Sequence, residues 1–266
     1  MMTDANVDVG VSPGTCLDGR YRLHRRHQRT EEFAVWKASD DLLQRTVAVT
    51  VFDAAPSPPA DAFEAVRAAS CVTHAGVAQV FDANQDADPP YVVREWIPGR
   101  DLAAMVGDGP LEPQQAARDF RQVSETLATA HAAGVPHLRL TPQSLVWSSV
   151  GGVRIVGLGV DAAAAHAEVN DPELADTRAL SRLLCVALTG RYSNGDLVIR
   201  PSWSTATRVW WACNVGIGRD LLGLARRALT GSAHRSDAIR TPSQFARELR
   251  RLAPGSGRRG GSIVAA

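Results

Sequence analysis

An α+β architecture with two unequal lobes is the fold class this 266-residue chain predicts, and three observations carry it. From Leu17 to Glu95, short runs of β-branched and aromatic residues alternate with turn formers around one alanine-rich helix. From Pro98 onward the apolar residues recur at helical spacing instead. A hydrophobic content of 45% beside 21% charged residues is that of a chain able to bury a core. The expected organisation is a flexible leader over 1–16, a small β-rich lobe over 17–97, a larger helical lobe over 98–253, and a basic, glycine-rich tail over 254–266.

Taken in order, strands are predicted over Tyr21–Leu23, Phe33–Ala38, Thr46–Phe52, Val77–Phe81 and Tyr91–Glu95. Between the third and fourth, Asp61–Cys71 sets Phe63, Val66 and Ala69 at helical spacing. In the second lobe, Glu112–Ala133 carries Ala116, Phe120, Val123, Leu127 and Ala130 on one stripe and meets a stop signal at Gly134. Helices are also expected over Leu180–Leu188, halted by Gly190, over Arg219–Leu229, and over Pro242–Leu252 with Phe245, Leu249 and Leu252 on one face.

A net charge of +1 gives no electrostatic footprint for nucleic acid. The 29 basic residues comprise one lysine, Lys37, and 28 arginines. Cys16, Cys71, Cys185 and Cys213 form no CxxC pair and signal neither a metal site nor a disulfide framework. No run of about 18 apolar residues is present. The end, Pro254 to Gly261 running into Ser262-Ile263-Val264, reads either as a floppy terminus or as a basic segment placed before a membrane helix.

Several fragments recur in a telling order: Val35-Trp36-Lys37-Ala38, Ala48-Val49, His74-Ala75-Gly76-Val77, Tyr91 to Leu102, Ala130 to Val135, His137-Leu138-Arg139 and Gly157-Leu158-Gly159. Together they resemble the bacterial Hanks-type serine/threonine protein kinases over roughly Leu17 to Leu252, which implies a bilobal, protein-kinase-like fold. The resemblance also implies where the working residues of such an enzyme would stand. The segment His24 to Phe33, where a glycine-rich loop would close over phosphates, has no glycine. Thr50 stands at the position of the phosphate-binding lysine and Ala65 at that of its glutamate partner, with Glu64 rotated away by about 100°. Arg139 replaces the catalytic base, Thr141 the phosphate-steadying lysine, Ser144 and Gly157 the two metal ligands. Arginine cannot accept a proton near neutral pH, and Mg²⁺ without carboxylates loses its oxygen cage. From these substitutions the chain is expected to be no enzyme, with no cofactor, no metal and no catalytic residue. Asp176 matches the aspartate that braces the catalytic-loop backbone, and it also reads as a helix N-cap. His137 matches the histidine packed beneath that loop.

Among such degenerate kinases, the chain is most similar to the cytoplasmic pseudokinase domain of actinobacterial MviN-type lipid II flippases. That resemblance implies a domain attached to an inner-membrane protein, phosphorylated on threonine by a true serine/threonine kinase and then bound by an FHA-domain protein that regulates peptidoglycan synthesis. Candidate threonines are Thr30, Thr141, Thr177, Thr205, Thr207, Thr230 and Thr241. Thr241 ranks first, because Arg235 to Arg240 is a polar loop and Pro242 ends any preceding regular structure; the competing structural reading of Thr241-Pro242-Ser243-Gln244 is a T-x-x-Q capping box, compatible with a phosphate at a helix N-terminus near Arg235 and Arg240. A metal-independent nucleotide sensor contacting adenine near Glu95 to Pro98 is the alternative, and a weak, unconventional kinase is the third reading.

Overall fold

The computed structural model describes residues 11–52, 60–161, 169–190, 217–230 and 238–253. The leader before Val11, residues 53–59, 162–168, 191–216 with Thr205, Thr207 and Cys213, residues 231–237 with Arg235, and the tail after Ala253 lie outside the described residues.

Six antiparallel strands form the first lobe: β1 (Cys16–Leu17), β2 (Tyr21–Arg29), β3 (Phe33–Asp40), β4 (Arg45–Phe52), β5 (Val80–Asn84) and β6 (Tyr91–Glu95), in the order β1-β2-β3-β4-β6-β5. The crossover between β4 and β5 carries helix α1 (Ala60–Ser70). Tyr21, Trp36, Val47, Val49, Val51 and Val93 pack on one face of the sheet. On the other, Phe33, Val35, Phe52 and Val92 meet Phe63 and Val66 of α1. Alternation along each strand places these sets on opposite faces.

Two expectations are corrected here. The first strand does not stop at Leu23 but continues through His24 to Arg29, paired with β3 across two register shifts. That stretch is polar and largely exposed, so its composition imitates a loop while its backbone stays in the ladder. Val77 is not in β5; it makes an isolated parallel bridge to Ile155, and the strand starts at Val80.

Beyond Glu95 come a small sheet of β7 (Gly99–Asp101), β8 (Leu145–Ser148) and β9 (Val153–Ile155), and the helices α2 (Leu102–Gly107), α3 (Pro113–Ala132), α4 (Pro172–Thr189), α5 (Ile217–Thr230) and α6 (Pro242–Leu252). Strands of three or four residues give too little alternation to be seen in the sequence. Phe120, Val123, Leu127, Leu180, Leu183, Leu184, Leu221, Phe245 and Leu249 form the main core. Among the described residues no helix is long and apolar enough to cross a membrane. Cys16 and Cys71 are free thiols.

Helix α4 begins earlier than the apolar run at Leu180. Asp171 caps it by accepting from the Leu174 N–H at 3.0 Å, and Pro172 occupies the first turn. Asp176 is therefore not the N-cap. It lies within the helix, fully buried, and accepts from the N–H groups of His137 and Leu138 at 2.8 and 2.7 Å and from His131 Nε2 at 2.8 Å. Leu138 sits at φ 59°, a left-handed conformation that costs a non-glycine residue of order 1 kcal/mol. The carboxylate that takes its N–H holds it there.

Removing Asp176 leaves two buried N–H groups without acceptors. Asp176→Ala is expected to cost about 3 kcal/mol or more in urea denaturation; a loss below about 1 kcal/mol would show that the loop is held by other means.

In the first lobe, the buried carboxylate of Asp40 accepts from Arg20 Nε and Nη2 at 2.9 Å each and from the Leu43 N–H at 3.2 Å. Arg20 above all depresses its pKa from 3.8 to about 2. A carboxyl depressed on folding contributes stability fully above its unfolded value. That contribution is lost as pH falls from 3.8 through about 2. Asp40→Asn should therefore flatten the acid limb of the stability profile across that interval, and an unchanged limb would contradict the assignment.

Candidate functional site

The cleft between the lobes has β4, β6 and α1 on one side and the loop after α3 on the other. In the β4–β6 ladder Thr50 faces Val92 and Ala48 faces Arg94. Directly opposed residues share a face, so Thr50 and Arg94 project with Val92 toward α1 and the cleft. Thr50 is fully buried and its Oγ1 has no hydrogen-bond partner. The charge that a lysine would carry at this position has become a neutral hydroxyl. Arg94 is 7% exposed, its Nε also lacks a partner, and desolvation pushes its pKa downward. The sequence reading missed Arg94, although an arginine directly after the apolar run Tyr91-Val92-Val93 in a strand is a visible signal.

From the opposite wall Arg139 reaches toward the β2–β3 turn. Its Nη2 lies 3.2 Å from Glu32 Oε2, its guanidinium is 5.8 Å from the Phe33 ring centroid, and its Nη1 is buried without a partner. This pair ties the catalytic-loop position to the turn that lacks glycine. Thr141 and Ser144 are spent on each other: Ser144 Oγ accepts from the Thr141 N–H at 3.1 Å and lies 3.1 Å from Thr141 Oγ1, closing the 3₁₀ turn Pro142–Ser144. His137 is fully buried and donates from Nε2 to the Val156 carbonyl at 3.0 Å.

Gly157 holds the largest surprise. It has φ 88°, and a Cβ built on it would overlap the carboxyl group of Asp161. The side chain of Asp161 thus lies beside Gly157, in the space that a longer residue there would fill. A comparison made position by position cannot see an acid that returns from four residues along the chain. Burial pushes the Asp161 carboxyl upward, against the opposing charges of His137, Arg94 and Arg139. Gly159, at φ 73°, is needed for a different reason: a Cβ there would come within 2.8 Å of the Ala65 carbonyl and 2.6 Å of the Ala69 Cβ. The segment presses directly onto α1 at Ala65, while Glu64 points to solvent.

At the hinge end, Glu95 Oε2 accepts from Arg154 Nη2 at 2.6 Å and from the Gln79 N–H at 3.3 Å. Trp96 is met edge-on by His27, with ring centroids 5.3 Å apart, and by Lys37 Nζ at 5.4 Å. Lys37 is engaged there and does not reach the place left by Thr50.

A divalent metal does not fit these residues. Mg²⁺ asks for several hard oxygens, whereas the described residues of this region bring one carboxyl, Asp161, among the guanidinium groups of Arg94 and Arg139. Among the described residues no cluster of three acidic, histidine or cysteine side chains is placed to hold an ion.

No protein-family model matches the chain. Serine/threonine-protein kinase PknA of Mycobacterium tuberculosis is 32% identical over 157 residues, which is 55% of this chain and 36% of that protein. The probable serine/threonine-protein kinase pknA2 of Bifidobacterium longum is 29% identical over 167 residues, 59% of this chain and 22% of that protein. PrkC of Bacillus subtilis, another serine/threonine-protein kinase, is 26% identical over 157 residues, 55% of this chain and 24% of that protein. The chain therefore spans well under half the length of these curated relatives. Among solved structures, the crystal structure of a mutant PknI kinase domain of M. tuberculosis matches with a TM-score of 0.69, covering 91% of this chain and 99% of that one at 18% identity. The chain has the bilobal protein-kinase fold.

These relatives overturn the expectation that the chain is not an enzyme, because they are named as serine/threonine kinases and point to a kinase. The physical reason for the error is the one Asp161 displays: residues absent from their usual positions do not establish that their chemical groups are absent from the cleft.

The Glu32–Arg139 pair is about one-third exposed on both sides, at 35% and 30%. Glu32→Gln is accordingly expected to lower stability by less than about 1 kcal/mol in denaturant titration; a loss above about 2 kcal/mol would mean that the pair behaves as a buried one.

Proposed function

We propose that the chain is a protein-kinase-like docking module, phosphorylated on Thr241 by a serine/threonine kinase and then bound by an FHA-domain protein that regulates peptidoglycan synthesis. The supporting observation is the setting of Thr241. Its Oγ1 caps α6 by accepting from the Gln244 N–H at 3.2 Å, and the Gln244 side chain returns to accept from the Arg240 N–H at 2.8 Å. A phosphate added to this hydroxyl meets the open N–H groups and the positive end of the helix dipole. Arg240 stands beside it, its guanidinium paired at 2.7 Å with Asp171, the cap of α4. Phosphorylation would place a second anion within reach of the same arginine.

Three of the other described candidates are tied up by neighbouring groups, while Thr230 is exposed. Thr177 is buried and bonded to the Glu173 and Arg240 carbonyls. Thr30 is held within the β2–β3 turn by Phe33 and Glu32. Thr141 is tied to Ser144, and Thr230 donates to the Arg226 carbonyl. Attachment to a flippase-like inner-membrane protein, implied by the resemblance to MviN-type domains, remains part of this proposal.

Phosphoryl transfer by the chain itself is a second reading, favoured by the names of its relatives and by the Asp161 carboxyl beside Gly157. Label incorporated from γ-labelled ATP by the purified chain and lost in Asp161→Asn supports it. No incorporation above a no-protein blank excludes it.

For the docking reading, the chain is treated with a serine/threonine kinase and an FHA domain is titrated against it. Wild type is expected to bind and Thr241→Ala to bind at least about tenfold more weakly, while losing about 1 kcal/mol of stability through the missing cap. Phosphate mapped by mass spectrometry only to other residues would remove Thr241 from the proposal.

A further inference from the structure

The cleft is filled from both walls by side chains of the chain itself. Val160, which follows Gly157-Leu158-Gly159, is 1% exposed and belongs to the same buried cluster as Phe33, Val92 and the α1 residues Phe63 and Val66. Gly159 sets the segment directly against Ala65 and Ala69 of α1, and the Asp161 carboxyl lies beside Gly157. Thr50 and Val92, on the cleft face of the first-lobe sheet, keep no exposed surface. Removing this apolar area from water favours closure.

Closure also carries a penalty. Thr50 Oγ1, Arg94 Nε and Arg139 Nη1 are buried without hydrogen-bond partners, and each such group opposes its own burial. Arginine has no escape through deprotonation, since the guanidinium remains charged in proteins. A closed arrangement that buries unmet polar atoms lies nearer in free energy to an open one than a fully satisfied core would, so the contacts at its edge set how often it opens. One contact stands at that edge. The Glu32 carboxylate, at the end of the β2–β3 turn, accepts from Arg139 Nη2 at 3.2 and 3.4 Å, and the Phe33 ring lies 5.8 Å from the same guanidinium. The loop that carries Arg139 is itself pinned by Asp176 through His137 and Leu138.

We propose that the chain holds its own cleft shut: Glu32 latches the β2–β3 turn onto Arg139, over an interior filled by Val160 and Asp161, and opening the cleft requires that latch to break. The latch is a conformational device and owes nothing to Thr241 or to the docking reading. Its position explains how a pair worth little to overall stability still matters. Both partners are about one-third exposed, so the pair adds little to the folded state as a whole, yet it spans the two lobes and acts on their separation alone.

Thiol labelling of the full chain tests the latch. Thr50→Cys sets a thiol behind it, and alkylation of that thiol by iodoacetamide, located by peptide mass spectrometry, follows the population of the open cleft. Cys71, which is exposed, is the reference for an unprotected thiol in the same molecule. The introduced thiol is expected to react about tenfold or more slower than Cys71. Glu32→Gln and Arg139→Gln are each expected to speed its reaction about threefold or more, with the rate at Cys71 unchanged, and the two together to be no faster than the faster single variant, because they remove one interaction. Equal rates at positions 50 and 71, no acceleration in either variant, or accelerations that multiply in the double variant would overturn the proposal. If Thr50→Cys does not fold, amide exchange at Val160 and Asp161, whose N–H groups both reach the Gly157 carbonyl, decides in the chain with its native threonine. Faster exchange in Glu32→Gln and Arg139→Gln, without a further rise in the double variant, is then expected, and unchanged exchange overturns the latch.

Discussion

The buried carboxylate of Asp176 is the constraint on which the second lobe depends. It accepts from the backbone of His137 and Leu138 and from the ring of His131, joining α3, α4 and the loop between the lobes through one side chain. Its own burial would be costly without those donors. With them satisfied, the loop is pinned in a conformation that includes a left-handed leucine. Every cleft residue from that loop, His137 and Arg139 included, is aimed by this arrangement. The first lobe is organised separately, by two apolar faces of one sheet.

Much of the frame was legible in the sequence because it follows from periodicity and caps. Tyr91–Glu95 and Pro242–Leu252 match the observed elements, and Glu112 to Ala133 brackets α3 with its two caps. Misses occurred where composition and backbone disagree. The polar residues His24 to Arg29 belong to a strand whose neighbours supply its hydrogen bonds, and tertiary pairing overrides their loop-like character. Helix α4 starts at Pro172 because Asp171 caps it, a signal overshadowed by the apolar run eight residues later.

The cleft was legible only in part, and for a different reason. Positions could be matched along the chain, and Thr50, Ala65, Arg139, Thr141, Ser144 and Gly157 were picked out from the resemblance alone. Side-chain occupancy of space could not be matched. The Asp161 carboxyl lies beside Gly157, and Arg94 enters the cleft from the end of the apolar run of β6. A site read as a set of losses is instead a rearranged set of charges: two arginines, one paired glutamate and one desolvated acid. This corrects the inference from missing residues to missing function, in line with the kinases that the chain resembles over more than half its length.

The account holds that the kinase frame is maintained by Asp176 independently of the altered cleft. Amide hydrogen exchange at His137 and Leu138 measures this most directly, because both N–H groups are bonded to that carboxylate. They are predicted to exchange only through global unfolding and to keep their protection in the Asp161→Asn variant. Exchange at the rate of exposed turns, or protection lost when Asp161 is changed, would contradict the account.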